Sequence, residues 1–173
     1  MKFILFFTLS LFSVICSAKT GYENILTFDS KGWSSQKTPT GFGLSCTACD
    51  NQVMVSMDIV PIDKGNKFTK SNELFVSYLM SEKDNLAKKF ATDTAMGGKV
   101  KILKADKVKM SGKDVYRYMF IADMGMNKTF DNTSMMLHKD RMIKITLNYF
   151  DGYFSQKDKA QVDHFYKSIK FTP

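Results

Sequence analysis

The stretch that decides the fold is Met142–Phe150, with the sequence MIKITLNYF. Apolar and polar side chains alternate along it, and the apolar ones are Ile143, Ile145, Leu147 and Tyr149. A period of two is the spacing of a β-strand with one buried face. The stretch therefore predicts a strand that carries a core on one side only.

The same alternation recurs closer to the N-terminus. Val53–Ile59 alternates strictly and is followed by Pro61, which ends the strand because proline cannot donate to the ladder. Gly41–Cys46 is expected to pair with it as a hairpin, with the turn at 47–51. Further strands are predicted at 25–28, 99–104, 107–110, 114–122 and 128–138.

Two helices are predicted between and after these strands. The first begins after Ser71 or Asn72, which can cap it, and ends before Gly97-Gly98. The second begins at Ser155, with Asp158 as its capping-box partner. The order of elements predicts an α+β fold, an antiparallel β-sheet with two helices packed on it.

The N-terminus has the pattern of an export signal. A lysine, a short apolar run and the small residues Ser17-Ala18 predict a signal peptide over residues 1–18, followed by a single α+β domain over 19–173. The apolar run is too short for a transmembrane segment. The chain has 173 residues, 44% of them apolar and 24% charged, which excludes a disordered chain and a polytopic membrane protein. Few prolines and many Lys, Phe, Asn and Ile residues are typical of an AT-rich bacterial genome, so the expected location is the bacterial periplasm.

Three local features resemble the PsbP-like fold family. They are the Gly-Trp entry in Asp29–Trp33, the helix after Pro61, and the ending in which Arg141–Leu147 is followed by a helix and Ser168–Phe171. Together they span most of residues 19–173. The resemblance implies a non-enzymatic domain that works by binding a partner, as an envelope protein, chaperone or immunity protein. It carries over no functional residues, because the family has no shared site motif.

Cys46 and Cys49 form the most informative local pair in the sequence. Export favours a structural disulfide between them. A soft-metal site is the alternative, because two thiolates at this spacing can bind Cu(I) and the thioether of Met54 would add a third donor. A redox pair would need a helix after the first cysteine, and the sequence predicts a strand there. A zinc ribbon would need a second pair of cysteines.

No residue pattern indicates catalysis. The two histidines, His138 and His164, pair with no evident nucleophile, and no pair of carboxylates stands out. We therefore expect a protein that is not an enzyme and has no cofactor.

A run of lysines is the candidate contact surface. On strands, Lys99 and Lys101 share a face, and so do Lys107 and Lys109, which predicts a lysine-rich outer face of a hairpin. Such a face can protect a sheet edge from aggregation, or it can contact an acidic protein or another anionic surface. Nucleic acid is an unsuitable partner, because export removes the chain from it. The sequence thus predicts a non-catalytic exported protein that binds a protein partner, as an inhibitor, immunity factor or accessory subunit.

Overall fold

The structure is a computed structural model that describes residues 24–63, 65, 68, 71–95, 97–125, 127–150 and 154–173. The predicted signal peptide lies outside the described residues. The strands are β1 (Leu26–Thr27), β2 (Trp33–Lys37), β3 (Gly41–Cys46), β4 (Val53–Pro61), β5 (Lys99–Met110), β6 (Lys113–Asp123), β7 (Lys128–His138), β8 (Arg141–Phe150) and β9 (Lys170–Phe171). The helices are α1 (Asn72–Ser81), α2 (Lys83–Thr94) and α3 (Gln156–Ser168).

Seven of the strands form one antiparallel sheet in the order β2-β3-β4-β8-β7-β6-β5. Met142–Phe150 lies in β8, between β4 and β7 near the middle of the sheet. The predicted hairpin of β3 and β4 is present, with Leu44 opposite Val55. Its register depends on Gly41, where a Cβ atom would lie 1.8 Å from the carbonyl oxygen of Met57. The α+β fold with an antiparallel sheet is confirmed.

The sheet is covered by helices on both faces. Val162 and Phe165 of α3 join a core cluster with the odd-numbered residues of β4 and β8. Buried residues of α1 and α2 join a second cluster with Tyr116, Tyr118 and Phe120 of β6. Neighbouring residues of one strand, such as Met135 and Met136, belong to different clusters, so the clusters lie on opposite faces. We call these the α3 face and the α1–α2 face.

Several elements differ from the prediction. The first predicted helix is two helices, α1 and α2, that meet at Glu82 (φ −112°, ψ 20°). Its buried residues keep helical spacing across the break, so periodicity does not mark it. The strand β2 was not predicted, because four of its five residues are exposed and show no alternation. The short β1 pairs with β9 at the other end of the chain, with Leu26 opposite Phe171.

Candidate functional site

The predicted strands 99–104 and 107–110 are one edge strand, β5, interrupted by a β-bulge. Ile102 lies opposite Phe120, and Lys104 lies opposite the next residue, Met119, so that Leu103 is the extra residue. Ile102 faces the α1–α2 core, and Val108 on the other side of the bulge packs on the α3 face. The bulge therefore changes which positions of β5 share a face.

The four candidate lysines do not form a single face. Lys99 and Lys101 lie opposite Asp123 and Ile121 on the α3 face. Lys107 and Lys109 lie opposite Tyr116 and Asp114 on the α1–α2 face. The prediction of one lysine-rich face is wrong on this point, because both pairs lie on one continuous strand and the extra residue Leu103 reverses the alternation between them. Within each pair, the two lysines lie on the same face, as predicted.

The two lysine pairs also differ in their ionic partners. The Lys109 ammonium lies 2.6 Å from an Asp114 carboxylate oxygen, and the Lys107 ammonium lies 3.9 Å from the other one. Hydrogen bonding to Lys109 is the main cause of the lowered pKa of Asp114. In the described part of the chain, Lys99 and Lys101 form no ion pair within 4.0 Å. Their charges are therefore the more available ones for an external partner.

The sulfur atoms of Cys46 and Cys49 lie 1.96 Å apart, at bonding distance. The loop that they close folds over the turn before β2, where the Gly32 carbonyl accepts hydrogen bonds from the N–H groups of Thr47 and Ala48 at 2.8 and 3.3 Å. Gly32 has φ +82°, and a Cβ atom there would lie 2.9 Å from the Ala48 Cβ. The cysteine pair thus holds the loop against the Asp29–Trp33 turn.

Met54 is not brought to the cysteine pair. Its neighbours Val53 and Val55 point into the α3-face core, so Met54 points to the opposite face. Cys46 and Cys49 pack against the α3-face core. Within the described ranges, no group of three or more His, Cys, Asp or Glu side chains is arranged to hold a metal ion. The geometry does not assemble the three donors proposed for Cu(I).

A buried carboxylate joins the loop between β3 and β4, residues 47–52, to α3. We call this loop the cysteine loop. Asp158 is 0% exposed and caps α3 together with Ser155, in the capping box predicted from the sequence. Its Oδ1 accepts from the Asp50 N–H at 2.8 Å, and its Oδ2 accepts from the Asn51 side-chain amide at 2.6 Å. This contact between the loop and α3 had no signal in the sequence beyond the capping box.

Both histidines have hydrogen-bond partners. His138 donates from Nε2 to the Thr172 carbonyl at 2.8 Å, which ties β9 to β7. Burial lowers the pKa of His138 more than this bond raises it. His164 Nε2 lies 2.8 Å from Asp29 Oδ2. Neither of these bonds reaches the side chain of a serine, threonine or cysteine.

Sequence reasoning missed a cleft between α3 and the sheet. It has a volume of about 650 Å³, and residues from β5, β6, β7, β8 and α3 line it. Arg117, Asn132, Ser134 and Tyr166 are among its polar lining residues, together with the charged Lys109, Asp163 and Lys167. These residues stand at ordinary strand and helix positions far apart in the sequence, so no local motif marks them. We call this feature the α3 cleft.

No protein-family model matches the sequence, and no curated protein matches it. Among solved structures, the chain is similar to cyanobacterial PsbP (CyanoP) from Synechocystis, with a TM-score of 0.54 and 15% identity over 86% of this chain and 93% of that one. It is also similar to LpqN from Mycobacterium tuberculosis, with a TM-score of 0.51 and 8% identity over 86% and 84% of the two chains. The protein has the PsbP-like fold. The predicted resemblance to the PsbP-like fold is thereby confirmed.

A third similar structure is the Ran-binding protein Mog1p from Saccharomyces cerevisiae, with a TM-score of 0.49 and 10% identity over 86% of this chain and 91% of that one. In this PsbP-like chain, none of the described helices is long and apolar enough to cross a membrane.

Proposed function

We propose that this protein is an exported, non-catalytic binding protein of the cell envelope that contacts an acidic surface of a protein partner through β5. The export signal predicted over residues 1–18 supports the location. LpqN, which shares the fold, is involved in cell envelope biogenesis. The proposed partner is a protein that this chain inhibits as an inhibitor, protects against as an immunity factor, or joins as an accessory subunit.

The observation that carries the proposal is the placement of the lysines on the free edge of the sheet. β5 is the last strand in the sheet order, and five of its lysines are exposed: Lys99, Lys101, Lys104, Lys107 and Lys109. The β5–β6 hairpin, Lys99–Asp123, holds seven basic and three acidic side chains. A concentrated positive charge of this kind attracts an acidic surface and speeds the encounter with it.

The bulge puts the two lysine pairs on opposite faces of the sheet, so charge reversal of each pair tests which face contacts the partner. We expect Lys99→Glu/Lys101→Glu to abolish most capture of the partner by the immobilised mature domain from periplasmic extract. Lys107→Glu/Lys109→Glu should have a smaller effect, because Asp114 already neutralises part of that charge. Raising the salt concentration should weaken capture by the unmodified domain, since exposed charges are screened.

Lys88→Glu/Lys89→Glu is the matched control, because both lysines are exposed on α2 and the change in net charge is the same. Circular dichroism should show equal melting for all three variants, since exposed charges contribute little to stability. Partner capture that survives both double reversals in β5 would refute the proposal.

A further inference from the structure

The α3 cleft has a floor on the α3 face of the sheet and one wall on α3. Neighbouring strands place Arg117 opposite Ser134, and Asn132 opposite Leu147. Val162 and Tyr166 of α3 line the wall. A volume of about 650 Å³ lies within the range of small-molecule sites in proteins.

One end of the cleft is apolar and aromatic. The rings of Phe130 and Tyr149 lie 4.9 Å apart between centroids, and the rings of Tyr149 and Phe154 stack at 4.6 Å. Leu147, two residues from Tyr149 on the same face of β8 and opposite Asn132, is 3% exposed. This end can remove an alkyl chain or a flat ring from water, which is the main source of affinity in such pockets.

The other end holds polar groups that the protein leaves unpaired. The Tyr166 hydroxyl and the Asn132 Oδ1 are buried and have no hydrogen-bond partner among the described residues. Buried polar atoms are nearly always bonded, and leaving one unpaired costs about 1–3 kcal/mol. The two atoms belong to residues that line the same cleft, so a single bound molecule could pair with both.

The polar end is rich in donors. Arg117 binds Asp106 through Nε and Nη2 at 2.9 and 2.8 Å, which leaves Nη1 without a bond in the described structure. The Tyr166 hydroxyl can donate a hydrogen bond. Rotating the Asn132 amide group by half a turn exchanges Oδ1 for Nδ2, which is also a donor. A ligand head that matches this end is therefore an acceptor.

The charges around the polar end favour an anion over a cation. Arg117 and Lys167 line the cleft, and the Lys104 ammonium lies 2.8 Å from Asp106, the same carboxylate that Arg117 binds. Lys109 also lines the cleft and binds Asp114, so four cations face three carboxylates, Asp106, Asp114 and Asp163. The net positive charge at this end complements an anionic head.

We propose that the α3 cleft binds a small anionic amphiphile of the fatty-acid type, with its carboxylate at Tyr166, Asn132 and Arg117. Its alkyl chain lies against Phe130, Tyr149 and Leu147. Lys109 of β5 also lines the cleft, whereas Lys99 and Lys101, whose reversal is the main test of the lysine surface, do not. The two proposals can therefore fail independently.

The test uses two probes that have the same alkyl chain and opposite charges. Isothermal titration of the mature protein with decanoate should give saturable binding with a stoichiometry of one. Decyltrimethylammonium should bind at least tenfold more weakly, since its head has no acceptor and carries the wrong sign. Absence of saturable decanoate binding, or equal affinity for the two probes, would overturn the proposal.

A conservative substitution separates binding from stability. Tyr166→Phe should weaken decanoate binding about tenfold, because one hydrogen bond to a charged group is lost. It should leave the melting temperature of the free protein unchanged or slightly raised, since the hydroxyl has no partner to lose. Tyr78→Phe, in α1 on the opposite face, is the control for affinity and should leave decanoate binding unchanged. Unaltered decanoate affinity in Tyr166→Phe would contradict the assignment, and Asn132→Leu provides a second test with the same expectation.

Discussion

At the residue scale, the Asp158 carboxylate receives hydrogen bonds from two separate parts of the chain. Burial alone would raise its pKa, but bonds from the Asn51 side chain and from the N–H groups of Ser155 and Asp50 lower the pKa to about 2. Asp131 on β7 shows the opposite balance. It is 2% exposed, and burial raises its pKa more than the bonds from Thr129 and Asn148 lower it.

These two directions predict opposite pH dependences. The ordinary pKa of an aspartate is 3.8, so stabilisation by Asp158 is fully present above pH 3.8 and is lost as the pH falls through about 2. The shift corresponds to about 2 kcal/mol. Asp131 binds its proton more tightly in the folded state, so its contribution to stability decreases as the pH rises above 3.8.

We expect Asp158→Asn to lower the free energy of unfolding at neutral pH by about 2 kcal/mol, because the ionised acceptor is lost. Urea unfolding between pH 2 and pH 7 measures this. The difference in the free energy of unfolding between the variant and the unmodified protein should shrink towards pH 2. The contribution of Asp131 cancels from this difference, because both proteins contain Asp131. Asp93→Asn on the exposed side of α2 is the control. A difference that stays constant down to pH 2 would contradict the assigned role of the charge.

At the scale of one element, the bulge in β5 lets a single strand serve two cores. Val100 and Ile102 pack on the α1–α2 side, whereas Val108 and Met110 pack on the α3 side. Leu103 is 42% exposed and takes no part in either core. The residues on its two sides pair with consecutive residues of β6: Ile102 lies opposite Phe120, and Lys104 lies opposite Met119. Removing Leu103 would therefore leave a regular ladder.

We predict that deletion of Leu103 changes the free energy of unfolding by less than about 1 kcal/mol. Deletion of Lys107 removes the same number of residues from the same strand and is the matched comparison. Deleting Lys107 shifts one flank of the strand by one residue, and such a shift exchanges the faces of that flank. If the C-terminal flank shifts, Val108 and Met110 leave the α3-face core. If the N-terminal flank shifts, Lys104 and Asp106 turn towards the α1–α2 face. The Lys107 deletion should cost more than about 2 kcal/mol, and equal losses in the two deletions would show that Leu103 is not the extra residue.

At the scale of the whole molecule, the cysteine loop connects elements from both ends of the described chain. Its backbone binds Gly32 before β2, and its Asp50 and Asn51 bind Asp158 at the start of α3. A second connection is the pairing of β1 with β9, to which the Ser168 hydroxyl adds a bond from the Asp29 N–H at 2.9 Å. The loop is thus positioned as a structural clamp.

We expect Cys46→Ser/Cys49→Ser to lower the free energy of unfolding by about 2 kcal/mol, the chain-entropy value for so short a loop. Thr47→Ser in the same loop is the control and should have little effect. The native exported protein should be two mass units lighter than the dithiol, and added Cu(I) should not change its mass. A dithiol that takes up Cu(I) and melts at a higher temperature would favour the metal site instead.

Local pattern was sufficient for most of the elements and for the fold class. Alternation in Val53–Ile59 and Met142–Phe150 marked central strands, because period two is visible within a few residues. The capping box of Ser155 and Asp158 marked the start of α3 for the same reason, since its members are three residues apart. The predicted export favoured a disulfide between Cys46 and Cys49 over a Cu(I) site, and the structure places their sulfur atoms at bonding distance.

The sequence by itself thus determined one antiparallel sheet with helices packed on it, since that fold follows from repeated local burial patterns. Only the tertiary structure decided which face each lysine pair occupies, because a single extra residue at Leu103 reverses the alternation beyond it. It also decided the α3 cleft, where Asn132 and Tyr166 meet from a strand and a helix. Such contacts depend on how α3 lies over the sheet, and this packing is the sum of many distant contacts that no short stretch of sequence records.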